Sequence, residues 1–196
     1  MAELDTEQHC NQCSPTRTLV GRFNITLPDL TGHLIFWPLS LAGLAVDLWT
    51  KHAVFEWLKN KSGYYFTVVD GFVRLVIALN EGAAFGIAGG QKNLLITISV
   101  AAIVVILGIF LFASAQQRIV QAALALFAAG VCGNLWDRIF NNGLVRDFID
   151  VTYWPGRHWP AFNVADTLLC VGVGLLLIAT CFTRRPSCQK RDQPRR

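Results

Sequence analysis

Four apolar runs set out the plan of this chain. The first, His33–Thr50, reads HLIFWPLSLAGLAVDLWT, with Pro38 placed to bend it and Asp47 near its far end. Eighteen helical residues reach about 27 Å, just adequate for a hydrocarbon core about 30 Å thick. Leu94–Ala113 is a second run with no charged residue, and Ile119–Phe140 a third that stays uncharged until Asp137. The link Ser114–Arg118 is so short that the third must return antiparallel to the second. Ala161–Phe182 is the fourth, with Asp166 in its second turn. These runs predict spans at about 33–50, 94–113, 119–140 and 161–182.

The segments between them read differently. Tyr64–Asn80, YYFTVVDGFVRLVIALN, is rich in β-branched and aromatic residues around Asp70-Gly71. That pattern predicts a small hairpin or short sheet outside the bilayer. NEGAAFGIAGG follows as a loop rich in glycine and alanine. Residues 1–32 are polar, carry turn formers such as Pro15 and Pro28, and lack the basic start and apolar core of a secretory signal. The expected fold is a mainly α membrane protein, with four transmembrane helices and a small extracytoplasmic β-rich element. Its parts are a polar extension 1–32, a membrane domain 33–182 and a basic cytoplasmic tail 183–196.

Composition sharpens this. Of the 196 residues, 53% are hydrophobic and 15% charged, against roughly 25% charged in soluble domains. Mean hydropathy is +0.42. Six of the 17 Lys and Arg lie between Thr183 and Arg196. A basic flank after an apolar run reads as a topogenic signal, not a nucleic-acid arm. With four spans, both termini then lie in the cytoplasm. Cys10 and Cys13 form a CxxC with no second pair to complete a zinc site. Cys132, Cys170 and Cys181 sit in apolar runs and read as small packing residues.

The four-span topology sends the unusual polar groups to one face. Asp47 ends the first span, Asn80, Glu81 and Gly82 lie in the outer loop, and Asn134, Asp137 and Arg138 end the third span. Asp147 and Asp150 follow in a loop, and Asn163 and Asp166 open the fourth span. Charges at membrane depth cost about 2.5–3.5 kcal/mol each, so a chain that keeps several there uses them. Asn134, Asp137 and Arg138 share a helical face, as do Asn163 and Asp166. In VRDFID, period-two alternation aims Val145, Asp147 and Ile149 one way and Asp150 the other. Two acids brought together can share a proton. One then acts as base on a water while the other polarises a carbonyl, with no metal, cofactor or nucleophilic side chain required.

At these residues the chain resembles the lipoprotein signal peptidase (signal peptidase II) family of bacterial inner membranes. The matching pieces are Asp47 in VDLWTK, NEGAAFG at 80–86, GNLWDR at 133–138, VRDF at 145–148 and PAFNVADT at 160–167. The resemblance covers roughly 35–182. It implies an aspartic endopeptidase that removes signal peptides from diacylglyceryl-modified prolipoproteins, cutting just before the lipidated cysteine. The implied catalytic pair is Asp147 and Asp166. Asn80, Gly82, Asn134, Arg138 and Asn163 would shape the substrate pocket, with Asp47 and Asp137 in support and Asp137 able to pair Arg138. The implied partners are the prolipoprotein substrate and membrane lipid, with globomycin as inhibitor, no nucleic acid and a monomeric enzyme.

Blander readings stand beside these. Asp47 and Lys51 make an i, i+4 pair worth a few tenths of a kcal/mol on a helix surface. Asp150 reads as a solvated neighbour, and Tyr153, Trp154, Trp159 and Phe162 as an interfacial belt. A small proton-linked transporter and a membrane scaffold are the alternatives from other classes. The one-sided placement of the acids speaks against the first, and the clustered Asp, Asn and Arg against the second.

Overall fold

The structure is a computed structural model that describes residues 27–82, 90–112 and 117–182. Expectations for 1–26 with Cys10 and Cys13, for 83–89 within NEGAAFGIAGG, for 113–116 and for the basic tail lie outside the described residues.

The first helix, α1, spans Leu30–Lys59 and contains Pro38 without ending there. It starts at Asp29, whose carboxylate accepts the Gly32 N–H at 2.9 Å, a side-chain cap for an otherwise orphaned donor. It runs past the expected end at Thr50 because Lys51, Phe55 and Leu58 continue a buried stripe at i, i+4 and i+7. The next segment folds as expected into a hairpin of β1 (Tyr65–Val69) and β2 (Val73–Asn80). Three more elements are α2 (Lys92–Phe112), α3 (Arg118–Phe140) and β3 (Val145–Trp154). The short β4 (Arg157–His158) and α4 (Val164–Phe182) complete the described chain.

All four helices are long and apolar enough to cross a membrane. α2 buries only Leu95, Ile106 and Phe110, and exposes Ile98, Val104, Val105 and Phe112 among others. A helix apolar all round with so little buried within the protein is matched to lipid. Cys170 and Cys181 are likewise exposed on α4 and are not packing residues; Cys132 is half-buried.

α3 is the central helix and packs against the other three. Small residues let neighbours approach it closely. A Cβ at Gly133 would collide with the Asp47 carboxylate, and one at Gly130 with the Ala165 carbonyl. At one end of the bundle Phe36 stacks on Phe110 with centroids 4.0 Å apart, and Arg118 binds both Asp29 oxygens at 2.6 Å. The polar groups lie at the other end. There the sheet, ordered β1-β2-β3-β4 and antiparallel throughout, closes over the helices.

Candidate active site

The start of α4 builds the first half of the site. The Asn163 side chain accepts the Asp166 N–H at 3.0 Å, and Asp166 Oδ2 accepts the Asn163 N–H at 3.2 Å. This reciprocal pair is a capping box, the geometry favoured when a short polar residue and an acid stand three apart at a helix start. It holds the Asp166 carboxylate in place and leaves Oδ1 to accept from Asn134 Nδ2 at 2.8 Å.

The other half comes from β3. Asn142 and Gly143 take φ of +54° and +95° and turn the chain directly from α3 into the strand. Asp137 Oδ2 accepts the Arg146 N–H at 2.9 Å, tying the strand entrance to the last turns of α3. The next residue, Asp147, is 2% exposed. Its Oδ1 accepts from Asn163 Nδ2 at 2.6 Å, and its Oδ2 from Asn80 Nδ2 at 3.1 Å. Asp147 and Asp166 are therefore each one hydrogen bond from the same asparagine. Burial, then the charge of Asp166, pushes the Asp147 carboxyl up to about 6, while bonds from Asn80 and Asn163 act in the opposite direction.

A buried ionic network supports this pair from behind. Lys51 is fully buried, with Nζ 2.8 Å from Asp47 Oδ2, 3.4 Å from Asp137 Oδ2 and 3.0 Å from Asn134 Oδ1. Asp47 Oδ1 accepts the Ala165 N–H at 2.8 Å, and Arg146 Nη2 meets Asp137 Oδ1 at 2.6 Å. Two acids and two cations thus brace α1, α3, β3 and α4 with no net charge. Asp137 pairs with Lys51 and Arg146, not with Arg138 as expected. Arg138 points the other way, donating from Nη2 to the Gly82 carbonyl at 3.0 Å. Arg138 is 8% exposed and its Nε has no partner among the described residues.

These groups open on a cleft of about 1210 Å³. Its polar end holds Asn80, Arg138, Asp147 and Asp166, and its apolar wall is built by Leu95, Ile98 and Ala102 of α2 with Leu169 of α4. A cleft of that form accepts a ligand with a polar centre and long apolar parts.

Of the residues expected at the site, Asn80, Gly82, Asn134, Arg138, Asp147 and Asp166 line the cleft, while Asp47, Asp137 and Asn163 lie in the hydrogen-bonded and ionic network beside it. Three expectations about surroundings change. The Asp47–Lys51 pair is wholly buried, not a surface pair. Asp150 is 6% exposed because β2 faces it with Arg74, directly opposite in register, which binds Oδ2 at 2.5 Å, and His158 Nδ1 lies 3.1 Å from Oδ1. Both faces of β3 are covered, since Phe148 and Asp150 are buried as well as Asp147, so alternation there does not separate inside from outside. Of the aromatic group, Tyr153, Trp154 and Trp159 are exposed and Phe162 is half-buried. Arg146 is the partner that sequence spacing did not single out. The 47/51 spacing was visible, but not that β3 and α4 would seal it from water.

Comparison with known proteins gives consistent matches. A family model described as "Signal peptidase (SPase) II" matches residues 39–182. A lipoprotein signal peptidase of Rhodopirellula baltica is 35% identical over 190 residues, covering 90% of this chain and 82% of that protein. One from Geobacter sulfurreducens is 45% identical over 147 residues, covering 74% and 89%. A bacterial membrane enzyme structure solved by the in meso method at 2.3 Å superposes with a TM-score of 0.67 at 28% identity, covering 88% of this chain and 99% of that one.

Proposed function

This chain belongs to the signal peptidase II family, membrane peptidases that process prolipoproteins, and we propose that it works as an aspartic endopeptidase through Asp147 and Asp166. The observation that carries the reading is the single asparagine, Asn163, bonded to both carboxylates at the polar end of a largely apolar cleft.

In the reaction proposed, Asp147 holds the proton and Asp166 is ionised. Asp166 takes a proton from a water as its oxygen attacks the scissile carbonyl, and Asp147 gives its proton to the carbonyl oxygen. The resulting gem-diol collapses: Asp147 recovers a proton from one hydroxyl, Asp166 passes its own to the leaving nitrogen, and the C–N bond breaks. The products are a signal peptide ending in a carboxyl group and a lipidated cysteine with a free amine. Both acids return to their starting states. Arg138 lines the cleft and its Nε has no partner among the described residues, so it offers a donor to a substrate carbonyl. The α2 and α4 wall suits the diacylglyceryl chains, and the substrate is a diacylglyceryl prolipoprotein cut before its modified cysteine.

The same reading sets the site end of the bundle at the extracytoplasmic face of the bacterial inner membrane, with both termini in the cytoplasm. The membrane domain is 33–182 and its flanks are 1–32 and 183–196. The test is incubation of purified protein with a diacylated lipobox peptide, with and without globomycin, and with an unlipidated control. Cleavage before the cysteine that globomycin blocks, and that Asp147→Asn and Asp166→Asn abolish, is the expected result. Wild-type turnover by either variant would refute the pair.

A further inference from the structure

Glu81 stands beside the reacting pair without a role in the chemistry above. Its neighbours on both sides are pinned. Asn80 donates to Asp147 Oδ2 at 3.1 Å and accepts the Gly82 N–H on its own Oδ1 at 2.9 Å, while the Gly82 carbonyl accepts from Arg138 at 3.0 Å. The backbone of Glu81 is therefore held between one acid of the pair and the arginine. Its side chain is exposed, lines the same cleft, and has no hydrogen-bond or ion-pair partner among the described residues.

The charge balance makes this carboxylate matter. With one proton shared by Asp147 and Asp166, the pair carries one negative charge, which Arg138 offsets. Glu81 is then the uncompensated charge among the described residues that line the cleft. Glu81, Asp147 and Asp166 line one cleft, and consecutive Cα atoms are about 3.8 Å apart, so residues flanking a scissile bond held at the pair extend along the cleft that Glu81 lines.

Resting on the peptidase reading, we propose that Glu81 sets a charge preference at substrate residues flanking the scissile bond, favouring basic side chains and disfavouring acidic ones. Two unit charges about 7 Å apart change a rate or binding constant roughly 3-fold at a dielectric of 80 and roughly 50-fold at 20. The exposure of Glu81 keeps the effect near the lower end, about 3- to 10-fold per flanking charge.

The test uses diacylated peptides that differ only in Lys, Gln or Asp at the residue after the cysteine, and a second series varied on the signal-peptide side of the bond. kcat/KM is measured for wild type, Glu81→Gln and Glu81→Lys at low and high salt. In at least one series the wild type is expected to prefer Lys over Asp by about 10-fold or more, and less so at high salt. Glu81→Gln brings that ratio towards one and Glu81→Lys inverts it. A ratio that is the same in all three proteins, or a wild-type preference for Asp, overturns the inference while leaving the peptidase reading intact. If wild type cleaves none of the peptides, the peptidase reading fails and the inference goes with it.

Discussion

Replacing Lys51 by Met tests the network behind the site most directly. Met fills nearly the same volume without the charge. In the native structure the Lys51 ammonium lies 2.8 Å from Asp47 and 3.4 Å from Asp137, and all three side chains are wholly buried. The four-charge network then loses one cation and carries a net negative charge that no water reaches. Asp137 retains Arg146, but Asp47 retains only the Ala165 N–H. Removing one partner of a buried pair costs about 3–5 kcal/mol, mostly the penalty of the charge left behind. At about 2–4 °C per kcal/mol for a domain of this size, the melting temperature falls by roughly 6–20 °C. The assay is thermal unfolding in detergent, followed by helical circular dichroism. The double variant Asp47→Asn/Lys51→Met removes one charge of each sign and restores neutrality, so it is expected to recover much of the loss. A single variant as stable as wild type, or a double variant less stable than the single, would show that the pair does not work by charge compensation.

Three further outcomes follow from the same geometry. The Asp147 carboxyl is raised to about 6, so its contribution to stability is full below the ordinary carboxylate range and is lost as pH rises through 6. Asp147→Asn is therefore expected to melt higher than wild type at pH 7 or above, though inactive, and to lose that advantage near pH 4; equal melting at both pH values contradicts the raised value. If Asp147 is the acid, kcat/KM declines as pH rises above about 6, and Asn80→Ala, which removes a bond that favours the charged form, shifts that limb to higher pH. A limb that stays fixed in Asn80→Ala removes the assignment. Gly133→Ala drives a methyl group into the Asp47 carboxylate and is expected to cost about 1–3 kcal/mol, measured as a fall in melting temperature, whereas Gly174→Ala, with open space around it, is expected to be near neutral.

Hydrophobic length by itself determined the four helices and their alternating directions, because a run of about 20 apolar residues has few other stable forms. That alternation alone carried Asp47, Asn80, Asn134, Asp147 and Asp166 to one end of the bundle. The hairpin around Asp70-Gly71 was legible for the same local reason, since strand propensity and a turn that takes positive φ at Gly71 agree. The cap joining Asn163 to Asp166 is also a three-residue spacing written in the chain. Which charge faces which was decided only by tertiary structure. Whether Asp137 meets Arg138 or Arg146 depends on the way β3 leaves α3. Whether the Asp47–Lys51 pair is solvated depends on α4 closing over it, and Asp150 is buried because β2 brings Arg74 opposite it. These pairings join residues as far apart as Arg74 and Asp150, and sequence spacing specifies such contacts only after the elements between them have packed.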